Sequence, residues 1–148
     1  MHIPPPVYMF LAIIGMHYGA RFLPFSTFQF NEQYLLAYAF ILCGIFLLLM
    51  TVLRFIRHRT TIQPNKLDEM SSLVTDGVNR FSRNPMYLAM LLMIIGSGLY
   101  FGTFLVIIAA PAFVMIINKV QIEPEEEALE KVFGQEYLDY KTRVRRWM

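Results

Sequence analysis

Two groups of residues in this chain of 148 residues have types and spacing that could carry chemistry. Residues 83–87, Arg-Asn-Pro-Met-Tyr, combine a cation, an amide and a phenol. Residues 125–127 are three consecutive glutamates. Taken separately, the first group has the ordinary explanation of a helix start, and the second that of a capping cluster. If both groups lie at one face of a membrane, a functional role becomes more favoured than these two separate explanations.

The composition indicates that these groups belong to a membrane protein. The chain is 56% hydrophobic and 16% charged, whereas soluble domains are about 45–50% apolar and about 25% charged. The only charged residues (Asp, Glu, Lys or Arg) among residues 1–53 are Arg21 and Glu32, and residues 86–118 contain none. Long uncharged apolar runs are typical of transmembrane helices. The predicted fold class is therefore all-α, an integral membrane helical bundle formed by one domain.

Four membrane spans are predicted. They cover about residues 7–25, 34–55, 87–100 and 103–118. The last two result from dividing one uncharged run, because a single helix of that length would be about 50 Å long against a hydrocarbon core of about 30 Å. Glycines at positions 96, 98 and 102 predict a turn near the middle of the run.

A loop over residues 57–85 and a tail over residues 119–148 carry most of the polar residues. In the tail, Pro124 and the glutamates after it predict the start of a helix, because proline suits the first turn and acidic residues offset the helix dipole. Gly134 predicts the end of that helix. A second short helix is expected after it.

The second span ends in Arg54, Arg57 and Arg59. By the positive-inside rule, the loop, the tail and both termini are therefore expected on the cytoplasmic side, with any site that they form. The membrane itself is expected to be a prokaryotic cytoplasmic membrane. Cys43 is the only cysteine, which excludes a disulfide scaffold, a cysteine zinc site and a redox pair. The net charge of +2 gives no argument for nucleic acid as a partner.

The two polar groups resemble the signature motifs of isoprenylcysteine carboxyl methyltransferases. In the loop, the matching residues are Leu73-Val74-Thr75-Asp76-Gly77-Val78, Phe81 and Arg83-Asn84-Pro85-Met86-Tyr87. In the tail, they are Glu125-Glu126, Leu129, Phe133-Gly134, Glu136-Tyr137, Tyr140, Val144 and Trp147. The resemblance covers about residues 64–147. The chain is similar, more loosely, to membrane phospholipid N-methyltransferases, which share the acidic pair and a Gly-x-Gly sequence such as that at 96–98.

The resemblance implies a membrane enzyme that moves a methyl group from S-adenosylmethionine to a lipophilic acceptor and releases S-adenosylhomocysteine. The implied acceptor is the carboxylate of an isoprenylated cysteine, or a similar lipid-like molecule that enters from the bilayer. Implied cofactor contacts are Ser71, Ser72, Leu73, Val74, Asn79, Asn84, Pro85, Met86, Tyr87 and Glu125. Implied catalytic residues are Arg83, Asn84 and Tyr87, and implied substrate contacts are Gln121 and Glu126, with no metal.

Three residues depart from the pattern of the eukaryotic enzymes. Asn84 replaces a common histidine, Asn79 replaces a frequent tyrosine, and Gln121 replaces an arginine that meets the substrate carboxylate. Glutamine cannot neutralise an anion, so a phospholipid amine is an alternative acceptor.

A non-catalytic small membrane protein, such as a transporter subunit or an assembly factor, is the alternative from another class. The predicted spans contain no Asp or Glu, which argues against a proton-coupled multidrug transporter. Membrane lipid is an expected partner, and the sequence leaves the oligomeric state undefined.

Overall fold

The structure, a computed structural model, describes residues 3–57 and 73–148, and these residues contain six α-helices. The helices are α1 (Pro5–Phe22), α2 (Gln33–Arg57), α3 (Pro85–Phe101), α4 (Val106–Ile117), α5 (Glu123–Phe133) and α6 (Gln135–Arg143). Short 3-10 helices at Pro24–Ser26 and Gly77–Arg80 and a π-helical turn at Asn118–Ile122 complete the helical structure. Within the described ranges, β-type pairing is limited to an isolated bridge between Thr27 and Thr103. The predicted all-α class is confirmed.

Helix α3 is the central helix of the bundle. It packs against α1, α2 and α4, and it contributes Tyr87, Met90 and Ile94 to the main hydrophobic core. Helices α1 and α4 add Met16 and Ile117 to the same core. By contrast, α1 and α2 leave many large apolar side chains exposed, as expected for helices whose outer faces contact lipid.

Two helices are long and apolar enough to cross a membrane by length and composition, Gln33–Arg57 and the continuous helix Val106–Phe133. Helix α3 is apolar but has 17 residues. At 1.5 Å per residue it is about 26 Å long, slightly less than a hydrocarbon core of about 30 Å. All four predicted segments are helical, but four full spans are not confirmed.

The turn between α3 and α4 begins between the two predicted spans, at the last of the three glycines. Gly96 and Gly98 are inside α3, and the helix ends at Gly102, which adopts the left-handed conformation with φ +60°. A Cβ on Gly96 would lie 2.9 Å from the carbonyl oxygen of Ala37, and a Cβ on Gly98 would lie 2.5 Å from Cβ of Val106. The first two glycines therefore allow neighbouring helices to approach closely, and only Gly102 makes the turn.

The predicted helix start at Pro124 agrees with the first turn of α5, but the predicted separation of this helix from the fourth span is wrong. Helices α4 and α5 form one continuous helix, joined by the π-helical turn Asn118–Ile122. Pro124 lies in the first turn of α5, directly after the π-helical turn. Proline has no N–H to donate, and the widened turn before it has a different hydrogen-bond pattern, so the helix continues past the proline.

The rest of the tail follows the prediction. Gly134 ends α5 with φ +53°, and α6 follows with Tyr137 and Tyr140 buried. These elements pack with residues 73–84 at one end of the bundle, which we call the polar end.

Candidate active site

An ion pair fixes the described part of the loop, residues 73–84, to the end of α2. Nη1 of Arg54 lies 2.6 Å from Oδ2 of Asp76. Gly77 adopts φ +55°, and a Cβ on it would lie 1.8 Å from the guanidinium carbon of Arg54. The left-handed backbone conformation favours glycine at this position, and a side chain here would also displace the guanidinium of Arg54. The 3-10 turn that begins at Gly77 buries Asn79.

Tyr87 links the two motifs that the sequence analysis singled out. Pro85 starts α3, where its fixed φ suits the first helical position. Tyr87 is buried in that first turn, and its hydroxyl donates a hydrogen bond to Oε1 of Glu125 in α5. The start of α3 and the acidic run are thus in direct contact.

Glu126 is the centre of a buried charge cluster at the polar end. The residue is 8% exposed, and its Oε1 lies 3.1 Å from Nη1 of Arg83. Arg146 donates from Nε to Oε1 at 3.0 Å and from Nη2 to Oε2 at 2.8 Å. Two guanidinium groups therefore share one carboxylate, and the cluster keeps an excess positive charge. The next residue, Glu127, is exposed.

The C-terminal residues hold the loop through their backbone carbonyls. The carbonyl of Arg145 accepts a hydrogen bond from the N–H of Arg83 at 3.0 Å. The carbonyl of Arg146 accepts hydrogen bonds from Nδ2 of Asn84 at 3.0 Å and from the hydroxyl of Ser82 at 3.4 Å. The loop just before α3 is thereby fixed from the C-terminal side.

Two tyrosines of α6 complete the support of the loop. The hydroxyl of Tyr140 donates to the carbonyl of Asn79 at 2.6 Å, and Nη1 of Arg83 donates to the hydroxyl of Tyr137 at 3.4 Å. Burial, followed by the negative charge of Glu126, raises the pKa of Tyr137 to about 12. Burial also raises the pKa of Tyr140 to about 12. Both hydroxyls therefore stay neutral at physiological pH.

Most of the residues that the resemblance assigns to the cofactor or to catalysis lie at the polar end. Those that the structure describes are buried or half-buried: Leu73, Val74, Asn79, Arg83, Asn84, Pro85, Met86, Tyr87 and Glu125. Ser71 and Ser72 lie outside the described residues. The assigned roles of all these residues remain predictions.

The two residues predicted to contact the substrate are engaged by other protein groups. Gln121 is buried in the π-helical turn, and its Nε2 donates to the carbonyl of Ile3 at 2.9 Å. The amide thus ties the start of α1 to the polar end. The carboxylate of Glu126 is shared by Arg83 and Arg146.

Sequence reasoning missed the contact between Arg146 and Glu126. The only signal in the sequence is that Arg146 lies within the tail motif, between Val144 and Trp147. By charge alone it belongs with the neighbouring Arg143 and Arg145 as a basic residue expected on the cytoplasmic side.

Two buried polar atoms on the loop have no hydrogen-bond partner among the described residues, Oδ1 of Asn79 and Nε of Arg83. Buried polar atoms are ordinarily satisfied by protein groups, water or a ligand, so these two are candidate contacts for a polar ligand. They provide one acceptor and one donor, and Glu125 provides a carboxylate on the facing helix. This set fits a molecule that carries ammonium, hydroxyl and carboxylate groups, as S-adenosylmethionine does.

Comparison with known proteins identifies a family for most of the chain. The profile of the family described as phospholipid methyltransferase matches residues 32–136, which include α2 to α5, the loop motif and the first part of the tail motif, up to Glu136. The chain is also similar to an uncharacterized protein of Haemophilus influenzae, with 43% identity over 63 residues that make up 43% of this chain and the whole of that protein. No solved structure matches the chain significantly. The chain belongs to the phospholipid methyltransferase family, a family of membrane methyltransferases.

Proposed function

We propose that this protein transfers a methyl group from S-adenosylmethionine to an amine or another neutral nucleophile on a lipophilic acceptor that reaches the site from the bilayer. One observation carries the proposal. The Tyr87–Glu125 contact joins the start of α3 to the acidic run, next to a loop that holds buried polar atoms without partners.

Four residues are the best placed to hold the cofactor. Glu125 can accept hydrogen bonds from an ammonium or a ribose diol, and Oδ1 of Asn79 is a second acceptor. Nε of Arg83 can donate to a carboxylate. Tyr87 orients Glu125 through its hydroxyl.

S-adenosylmethionine supplies a sulfonium methyl group, so that the lone pair of the acceptor forms a bond to the methyl carbon while the carbon–sulfur bond breaks and its electron pair stays on sulfur. The contribution of the protein is mainly positioning, with the reacting atoms held at about 3–3.5 Å, in line, and away from water. An ammonium acceptor must first lose a proton.

The engagement of the charged side chains supports a neutral or amine acceptor. A carboxylate in a site of low dielectric constant needs a cation or several donors. Nη1 of Arg83 and Nη2 of Arg146 both contact the carboxylate of Glu126. The side-chain amide of Gln121 donates its hydrogen bond to the carbonyl of Ile3.

A prenylcysteine carboxylate is the second candidate acceptor. The observation that favours it is the unpartnered Nε of Arg83, which could meet an anion. The resemblance of the tail to prenylcysteine enzymes points the same way.

Titration calorimetry of the full chain in detergent with S-adenosylmethionine tests the proposal. We expect saturable binding, and its absence would indicate a non-catalytic membrane protein. Mass spectrometry with methyl-labelled cofactor then compares an ethanolamine phospholipid with farnesylated N-acetylcysteine. Label in the phospholipid supports the amine acceptor, and label in the farnesylcysteine alone overturns it in favour of the second candidate.

A further inference from the structure

Residues 145–147, which we call the C-terminal clasp, contact three separate parts of the polar end. Their carbonyls bind the loop before α3, as described above. The side chain of Arg146 binds Glu126 in α5 with two hydrogen bonds. Nε1 of Trp147 donates to Oδ1 of Asn118, where the π-helical turn begins, at 3.0 Å. A short segment at the end of the chain thus connects the loop, α5 and the π-helical turn of the α4–α5 helix.

The neighbouring carboxylates of Glu125 and Glu126 have different partners, and the clasp supplies one partner of Glu126. Glu126 is compensated by two arginines. Glu125 contacts the neutral hydroxyl donor of Tyr87 instead. Since a buried carboxylate that has lost a partner is costly and strongly attracts any remaining cation, removal of Arg146 would leave Glu126 to compete for Arg83.

We propose that Arg146 is a positioning residue, which neutralises Glu126 and anchors the clasp so that Glu125 and Arg83 keep the arrangement that binds the cofactor. This inference rests on the proposed function, because the ligand is S-adenosylmethionine. Arg146 itself acts through Glu126 and the loop. Its planar guanidinium matches a carboxylate with two parallel hydrogen bonds, which a lysine ammonium cannot reproduce.

The effect that we expect from replacing Arg146 is on cofactor binding, and it can be distinguished from a loss of fold stability. A residue that only stabilises the fold changes the melting temperature but leaves the dissociation constant of the folded protein unchanged. A positioning residue changes that constant even where the protein is fully folded. The pair with Glu126 adds a second criterion, because neighbouring residues in one charge network show strong non-additivity.

The test measures the dissociation constant of S-adenosylmethionine by calorimetry on the full chain in detergent, well below the melting temperature of each variant. Arg146→Gln should weaken binding roughly tenfold, within the range that coupled neighbours show. Arg146→Lys should weaken it less. The double variant Glu126→Gln/Arg146→Gln should recover most of the affinity, because no carboxylate at position 126 then competes with the cofactor for Arg83.

Arg143→Gln is the matched control. Arg143 is exposed and donates only to a carbonyl of its own helix, that of Asp139, among the described contacts. If Arg146→Gln and Arg143→Gln bind the cofactor equally well, or if the double variant binds as weakly as Arg146→Gln, the inference is wrong.

Two further outcomes are distinguishable. If Arg146→Gln does not fold, the lysine variant and the double variant decide the question by the same criterion. If the wild type binds no S-adenosylmethionine, the proposed function fails and the inference fails with it, whereas a wild type that binds and variants that bind equally well overturn the inference alone.

Discussion

The hydroxyl of Tyr87 donates a hydrogen bond to the carboxylate of Glu125, although 38 residues separate them in the chain. The contact forms because α3 and the continuous α4–α5 helix run antiparallel, which returns the acidic run to the start of α3. The residues of each motif are close together in the sequence. The two motifs form one site only because the α4–α5 helix brings the acidic run next to the start of α3.

Replacement of Glu125 by glutamine should weaken the binding of S-adenosylmethionine by roughly tenfold to a hundredfold. A hydrogen bond to a charged group contributes about 1.5–3 kcal/mol, and about 1.4 kcal/mol corresponds to a factor of ten in affinity. Glu127→Gln is the control, since Glu127 is exposed. Calorimetry measures both, and equal losses from the two variants would mean that the acidic run acts only as a capping cluster.

The periodic and compositional features of the chain were predictable from the sequence, and the contacts between distant segments were not. Uncharged runs predict the helices, because lipid and the core both select apolar residues. The sequence cannot distinguish a glycine that makes a turn, such as Gly102, from one that admits a neighbouring helix, such as Gly96, because both roles require the absence of a side chain.

The same limit applies to the site. Pro124 predicts a helix start from local rules, but the π-helical turn before it lets the helix continue. The pairing of Arg146 with Glu126 depends on how the C-terminus folds back, which no local pattern specifies. The family resemblance identified residues of the loop and tail motifs as a group without indicating which of them form pairs.

Gly96→Ala should destabilise the bundle, whereas Gly15→Ala should not. A Cβ at position 96 would lie 2.7 Å from Cγ1 of Ile41 and 2.9 Å from the carbonyl of Ala37, so α2 and α3 must separate. Overpacking of this kind costs about 1–3 kcal/mol. A Cβ on Gly15 meets nothing within 4 Å, and alanine favours the helix by about 0.5–1 kcal/mol. Thermal unfolding in detergent compares them, and equal melting temperatures would contradict the close packing of α2 and α3.

Tyr140→Phe should loosen the loop and change the response to alkaline pH. The lost hydrogen bond to Asn79 contributes about 0.5–1.5 kcal/mol. Burial raises the pKa of Tyr140 from 10.0 to about 12, so its contribution to stability is complete below pH 10 and is lost as the pH rises from 10.0 to about 12.

The free energy of unfolding, measured from neutral to alkaline pH, checks this prediction. The decline above pH 10 should be smaller in Tyr140→Phe than in the wild type. Tyr18→Phe is the control, because Tyr18 is exposed. If both variants decline as steeply as the wild type, Tyr140 does not carry a raised pKa.

The polar end should face the cytoplasm. It carries Arg54 and Arg57, which follow an apolar helix, and the positive-inside rule places such residues inside. Gln135→Cys, in a Cys43→Ala background, should react with a membrane-impermeant maleimide only after the cells are opened. Phe25→Cys, at the exposed opposite end, should react in intact cells. Labelling of Gln135→Cys from outside would contradict the site, because the cofactor is cytosolic.

Gln121→Arg tests the acceptor class most directly. An arginine at this position would supply a cation for an acceptor carboxylate, but it would also remove the hydrogen bond to Ile3. Gln121→Ala therefore serves as the control that loses the hydrogen bond without gaining a cation. If the native acceptor is an amine or a neutral group, Gln121→Arg should methylate farnesylated N-acetylcysteine faster than Gln121→Ala does. Gln121→Arg should also methylate an ethanolamine phospholipid more slowly, since a cation in the site repels an ammonium. If the wild type already methylates farnesylated N-acetylcysteine efficiently and Gln121→Arg reduces that rate, the argument from the engaged arginines and Gln121 is wrong, and the acceptor anion is held by other residues.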